Sequence, residues 1–245
     1  ISNILDPLYL TDRVIVIDIE TTGFDSSVDK IIEIGIIEVN LKTKERKVLF
    51  NSPIYEEGVD LHKNSEFFKM SSLDYSNITD YPSLEFLENT LQFIFDNIRI
   101  TSFNMNFDLG FLESRGFLFP KKLQDLMTHT RKIMPKGKKY NFEYAYRFLF
   151  NSSKNKESNY LSDPDYRQQH HAIDDAIYGV ELLDLLYHEF NYPLDYQSEI
   201  TDVMNLSNAS ILNFDGNLNC NQHDDKFSCS REIREKGDTY KKDLF

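Results

Sequence analysis

Val14, Ile15, Val16 and Ile17 form an unbroken β-branched run with no polar face, the pattern of a strand buried on both sides in the middle of a sheet. Residues 31–39 (IIEIGIIEV) and 46–50 share strand composition, and residues 40–44 supply a turn between them. Together with residues 14–20 they predict an antiparallel meander. Residues 51–82 read as irregular, with Pro53, Gly58 and Pro82. Helical spacing then begins at Leu84, Leu87, Leu91 and Ile94 or Phe95, with Ser83 placed to cap it. Residues 99–103 predict a short strand. Asn106 reads as the cap of a helix running to Arg115 before Gly116. Amphipathic stretches at 126–134 and 142–150 follow, then a long polar loop over 151–169, of the kind that is functional or disordered, and a last helix over about 172–190.

Polar residues interrupt this pattern at informative places. The apolar strand ends in two carboxylates, and because strand side chains alternate, Asp18 and Glu20 share a face about 6 to 7 Å apart. Two such anions repel unless one is protonated or a cation lies between them, and hard oxygen donors suit Mg²⁺ or Mn²⁺. A strand end that simply reaches solvent accounts for them equally well. The following Thr21-Thr22-Gly23 favours the first account, since a glycine turn lets a ligand approach the backbone closely. On the last helix, Ala172, Gly179, Leu182 and Leu186 lie on one face and Asp175 falls among them, whereas Asp174 shares a face with Tyr178, Glu181 and His188. Asp175 is therefore the acid expected to face the core, where it needs a partner. Asp108, in the first turn of its helix, reads by itself as a helix-dipole partner. His170, two residues ahead of the last helix, reads as a surface histidine or as a group titrating near neutral pH.

Length and composition bound what this chain can be. Its 245 residues with 40% hydrophobic content suit one α/β domain plus an appendage. No run approaches a membrane span, and two cysteines, Cys220 and Cys229, make no disulfide framework, which fits a reducing, cytoplasmic compartment. The chain starts at Ile1 rather than Met, so a lost targeting segment stays open. A net charge of −13 argues against coating nucleic acid through a broad basic surface. The dense basic stretch at Arg131, Lys132, Lys136, Lys138 and Lys139 reads as a solvated loop or a local contact patch. Beyond Tyr192 the chain turns polar and a domain boundary is expected. In that tail residues 211–213 and 218–220 read as a hairpin, while Cys220, His223 and Cys229 are too few and too irregularly spaced for zinc.

Four separated pieces stand in order: Asp18-Ile-Glu20-Thr-Thr-Gly, Phe103-Asn-Met-Asn-Phe-Asp108-Leu-Gly, Asp125, and His170-His-Ala-Ile-Asp-Asp175. Together they resemble the DnaQ-like 3′ to 5′ exonucleases of the DEDDh type, which include proofreading subunits of bacterial replicative polymerases. The resemblance covers residues 9–190 and implies an α/β fold, the ribonuclease H-like mixed β-sheet flanked by α-helices, over residues 9–192. Residues 193–245 are left as a small appendage of unassigned role. It further implies Asp18, Glu20, Asp108 and Asp175 as ligands of two Mg²⁺ or Mn²⁺ ions and His170, by its spacing to Asp175, as general base. Thr21, Thr22, Phe24 and Asn104 would neighbour the terminal nucleotide. Asp125 matches an acid of these proteins that is not a metal ligand. The implied reaction is release of nucleoside 5′-monophosphates from single-stranded DNA or frayed 3′ primer ends, with a DNA polymerase as possible partner and no membrane. RNA trimming, and an inactive binding subunit on the same fold, remain the alternatives.

Overall fold

The computed structural model describes residues 12–60, 76–136, 140–152 and 170–194. All of them belong to the first of two compact units, residues 1–201. The proposed tail hairpin, the possible tail ligands, Lys138 and Lys139, and most of the polar loop lie outside the described residues.

Four strands, β1 (Arg13–Thr21), β2 (Ile31–Asn40), β3 (Arg46–Pro53) and β4 (Arg99–Thr101), form one sheet in the order β3-β2-β1-β4. β1 pairs antiparallel with β2 and parallel with β4, and β2 pairs antiparallel with β3, so the sheet is mixed. The expected meander is present, with β3 three residues longer than the composition of residues 46–50 implied. Five helices complete the described fold: α1 (Leu84–Asn97), α2 (Met105–Glu113), α3 (Leu126–Ile133), α4 (Phe142–Ser152) and α5 (Ala172–Phe190). Among the described residues of 51–82 there is one 3₁₀ turn, Ile78–Asp80.

β1 is central because both of its faces are covered. Val14 and Val16 pack with Val39, Ala176, Val180, Leu183 and Tyr146 in a core built on α4 and α5. Ile15, Ile17 and Ile19 pack with Leu91, Phe95, Leu109 and Leu112 in a second core built on α1 and α2. The alternation of a strand thus assigns Asp18 and Glu20 to the same side as Val14 and Val16, the side taken by α5.

Two expectations about the helices need correction. The cap residue of α2 is Asn104, not Asn106, and its side chain makes no capping bond. The first-turn N–H of Met105 is instead satisfied by Asp125 Oδ2 at 2.7 Å, so the helix begins earlier than a local Asn cap would place it. On α5, Asp175 is buried as expected, but Glu181, expected on the outer face with Asp174, is buried too. Tyr146 donates its hydroxyl to Glu181 at 2.5 Å and Arg46 reaches the same carboxylate at 3.3 Å, so distant residues supply the partners that let an acid enter the interior.

Candidate active site

The carboxyl end of β1 carries the site because three elements converge there. β1 delivers Asp18 and Glu20 just before its pairing with β2 becomes irregular between Glu20 and Thr21. β4 runs parallel to β1 and leads through Ser102–Asn104 into α2, which brings Asp108 in its first turn. α5 begins directly over β2. A methyl group at Gly35 would lie 2.4 Å from the Ala172 carbonyl carbon and 2.5 Å from Ile173 N. Gly35 pairs in register with Asp18, so this backbone contact carries the first turn of α5, with Asp175, over the end of β1.

One ligand atom each of Glu20, His170 and Asp175 lies within 4.8 Å of the others. His170 adopts a left-handed backbone, φ 55°, a conformation costing a non-glycine residue about 1–2 kcal/mol. That local strain sits at the residue which enters the cluster, a position where strain is commonly functional. Asp18 and Asp108 stand outside that trio but within its field. Burial, then the charges of Asp108, Asp175, Glu20 and Glu33, hold the Asp18 carboxyl well above its ordinary range. Burial, then Asp175, Glu33 and Asp108, push Glu20 up to about 9. Burial also pushes Asp108 up to about 7, partly offset by the Ser102 hydroxyl and the backbone N–H groups of Ile19 and Asn104. Ser102 Oγ has no partner at hydrogen-bond geometry, so its effect on Asp108 is that of a nearby hydroxyl dipole rather than of a formed bond. The cluster is therefore an arrangement of acids that repel one another without a cation. The clustered carboxylate oxygens are donors that fit a hard divalent metal, with the His170 imidazole beside them.

The residues expected to meet a nucleotide are placed less uniformly. Thr21 and Thr22 are buried and use their hydroxyls locally: Thr21 Oγ1 donates to Gly23 O at 2.6 Å and Thr22 Oγ1 accepts from Lys30 N at 2.9 Å. They shape the turn beside the acids. A methyl group at Gly23 would lie 2.3 Å from the Asp29 carboxylate, which accepts from Asp25 N, so a larger residue there would have to displace the Asp29 side chain. Phe24, in contrast, is 81% exposed, with its ring 6.2 Å from that of Phe107. Asn104 is partly exposed at the start of α2.

Glu33 escaped the sequence reading. It is buried, stands directly across from Glu20 in the β1–β2 register, and lies 3.8 Å from His171 Nδ1. An acid inside the apolar run IIEIGIIEV was the available signal, but only the register of the strands brings it to Glu20.

A model of the family described as Exonuclease matches residues 15–183. This chain belongs to the exonuclease family. Among curated proteins, the exonuclease-family chain is 26% identical over 211 residues to a DNA polymerase III PolC-type of Clostridium perfringens (strain 13 / Type A), a match covering 83% of this chain and 13% of that protein. It is 28% identical over 146 residues to the PolC-type polymerase of Caldanaerobacter subterraneus subsp. tengcongensis, covering 57% and 10%. The chain thus spans only a small part of the length of these relatives. Among solved structures it is similar to the nuclease domain of 3′hExo, a DEDDh family member, bound to rAMP, with a TM-score of 0.55 at 12% identity over 79% of this chain and 98% of that one. It is also similar to cell-death related nuclease 4, with a TM-score of 0.54 at 12% identity over 73% and 64%. The ribonuclease H-like fold and the DnaQ-like family resemblance both hold for this exonuclease-family chain. No helix among its described residues is long and apolar enough to cross a membrane.

Proposed function

We propose that this chain is a metal-dependent 3′ to 5′ exonuclease acting on single-stranded DNA or frayed 3′ primer ends and releasing nucleoside 5′-monophosphates. The observation that carries the reading is the meeting of Glu20, Asp175 and His170 within 4.8 Å, in a member of the exonuclease family. Asp18, Glu20, Asp108 and Asp175 would hold two Mg²⁺ or Mn²⁺ ions, and the raised affinity of Asp18, Glu20 and Asp108 for protons fits a site built for cations. When bound, such cations supply positive charge to a phosphodiester and acidify water. They also account for how a chain of net charge −13 draws in a polyanion.

The chain's own groups do the rest. His170, next to Glu20 and Asp175, accepts the proton of the attacking water through a ring nitrogen. Thr21 and Thr22 hold the turn that forms one wall of the site. The exposed ring of Phe24 offers a face on which the terminal base stacks, and Asn104 lies where its amide meets the sugar or base. The PolC-type relatives support DNA as substrate and a DNA polymerase as partner. The scarcity of cysteine supports a cytoplasmic setting.

The test is a gel assay of 5′-labelled DNA and RNA oligonucleotides with Mg²⁺, with Mn²⁺ and with chelator. A metal-dependent ladder of 3′-shortened DNA supports the reading. A ladder on RNA alone moves the substrate to RNA, and no cleavage with any divalent metal points to a binding subunit.

A further inference from the structure

Asp125 is an acid near the site with no part in the chemistry described above, and both of its oxygens are engaged. Oδ1 accepts from Thr128 N at 2.7 Å and caps α3. Oδ2 accepts from Met105 N at 2.7 Å, across twenty residues of sequence, and serves α2. The residue that would ordinarily cap α2, Asn104, leaves its side chain out of that role. The two helix starts are knitted together further by backbone bonds, Leu126 N to Ser102 O at 3.1 Å and Met127 N to Phe103 O at 3.0 Å. One carboxylate therefore sits between two helix N-termini, where unpaired N–H groups and both dipoles favour a negative charge.

What this brace holds in place is the approach to the active site. Met105 is three residues ahead of Asp108, and Asn104 O accepts the N–H groups of Phe107 at 2.9 Å and Asp108 at 3.0 Å. Asp108 is buried, so its carboxylate points wherever the first turn of α2 puts it. We propose that Asp125 is a positioning residue, whose two hydrogen bonds, one accepted from the start of α2 and one from the start of α3, fix Asp108 and Asn104 in the geometry that metal and nucleotide binding require. This rests on the reading of Asp108 as a metal ligand. Loss of the brace lets the first turn of α2 fray, and the cost appears at Asp108 rather than spread over the fold.

The test compares Asp125→Asn, Asp125→Ala and Ser83→Ala in the full chain. Ser83 caps α1, which carries none of the site acids, through a bond from Phe86 N, and stands for loss of a cap with no consequence at the site. Mn²⁺ binding to the protein without nucleic acid is measured by titration calorimetry, and amide hydrogen exchange is followed at Met105–Asp108 and in α5. Asp125→Ala is expected to weaken Mn²⁺ binding and lower kcat by about 10- to 100-fold, the usual effect of removing a group that orients a metal ligand. Asp125→Asn, which keeps the shape and one acceptor oxygen, falls between it and the wild type. Exchange should quicken in the first turn of α2 and stay unchanged in α5. Ser83→Ala should lower Tm and leave metal binding untouched. The proposal is overturned if Asp125→Ala lowers Tm as Ser83→Ala does while Mn²⁺ affinity, kcat and α2 exchange match the wild type. A wild type that binds no Mn²⁺ would instead sink the exonuclease reading, and exchange at α2 would still decide whether Asp125 holds that turn.

Discussion

Gly35 and Ala172 touch backbone to backbone: a methyl group on Gly35 would come within 2.4 Å of the Ala172 carbonyl carbon. β2 and α5 meet there without a side chain between them, and Asp18 stands opposite Gly35 in the register. Replacing Gly35 by alanine must push α5 outward, because the obstacle is backbone and cannot rotate away. Gly35→Ala is expected to cost about 1–3 kcal/mol of stability and, by displacing Asp175, about 10²-fold in rate. Gly110→Ala is the control. Gly110 lies in α2 with nothing within 4 Å of the added methyl, so this change should stabilise by roughly 0.5–1 kcal/mol. Denaturation midpoints and single-turnover rates read both.

Asp174 and Asp175 are neighbours with different surroundings. Asp175 is buried within 4.8 Å of Glu20 and His170, and Asp174 is only half-buried. Asp175→Asn is expected to reduce hydrolysis to background, and Asp174→Asn to leave most of it. Equal damage from the two changes, measured on the same oligonucleotide, contradicts the assignment.

The acids at the site make stability depend on pH. Folding raises Glu20 from 4.5 to about 9 and Asp108 from 3.8 to about 7. Between the lower and the upper value the folded chain keeps a proton that the unfolded chain has lost, so the metal-free protein loses stability as pH rises through that window. Tm in chelator is expected to fall from about pH 5 to about pH 9. Mg²⁺ or Mn²⁺ should raise Tm by mass action, and more so at the alkaline end. Asp18→Asn should flatten the pH dependence and weaken the metal response. A metal-independent melting curve in wild type speaks against the site.

Much of this was legible from spacing. β1 and α5 carry patterns that hardly depend on the rest of the chain, and the 3.6-residue period alone separated Asp175 from Asp174. What the sequence hid were relationships made by distant residues. Asn106 looked like a cap because a local Asn is the common solution, whereas Asp125 supplies that bond from another helix. The burial of Glu181 was hidden because its partners, Tyr146 and Arg46, lie 35 and 135 residues away. Glu33 was invisible for the same reason: it faces Glu20 only through strand register.

His170 and His171 differ as sharply as the two aspartates. His170 joins Glu20 and Asp175, whereas His171 lies 3.8 Å from Glu33 and begins α5. His170→Ala is expected to slow single-turnover hydrolysis by about 10²- to 10⁴-fold, the size of a general-base contribution, with metal and DNA binding retained. His171→Ala should cost far less. An unchanged rate in His170→Ala would remove His170 from the chemistry.

Product identity tests the central claim most directly. A DNA oligonucleotide with a distinct nucleotide at each of its last 3′ positions is incubated with the chain and Mn²⁺, and the released species are followed by mass spectrometry, with Asp175→Asn purified in parallel to exclude a contaminating nuclease. The account predicts nucleoside 5′-monophosphates appearing in order from the 3′ end, and none from the variant. Internal fragments, 3′-phosphates, release from the 5′ end, or equal product from Asp175→Asn would contradict it.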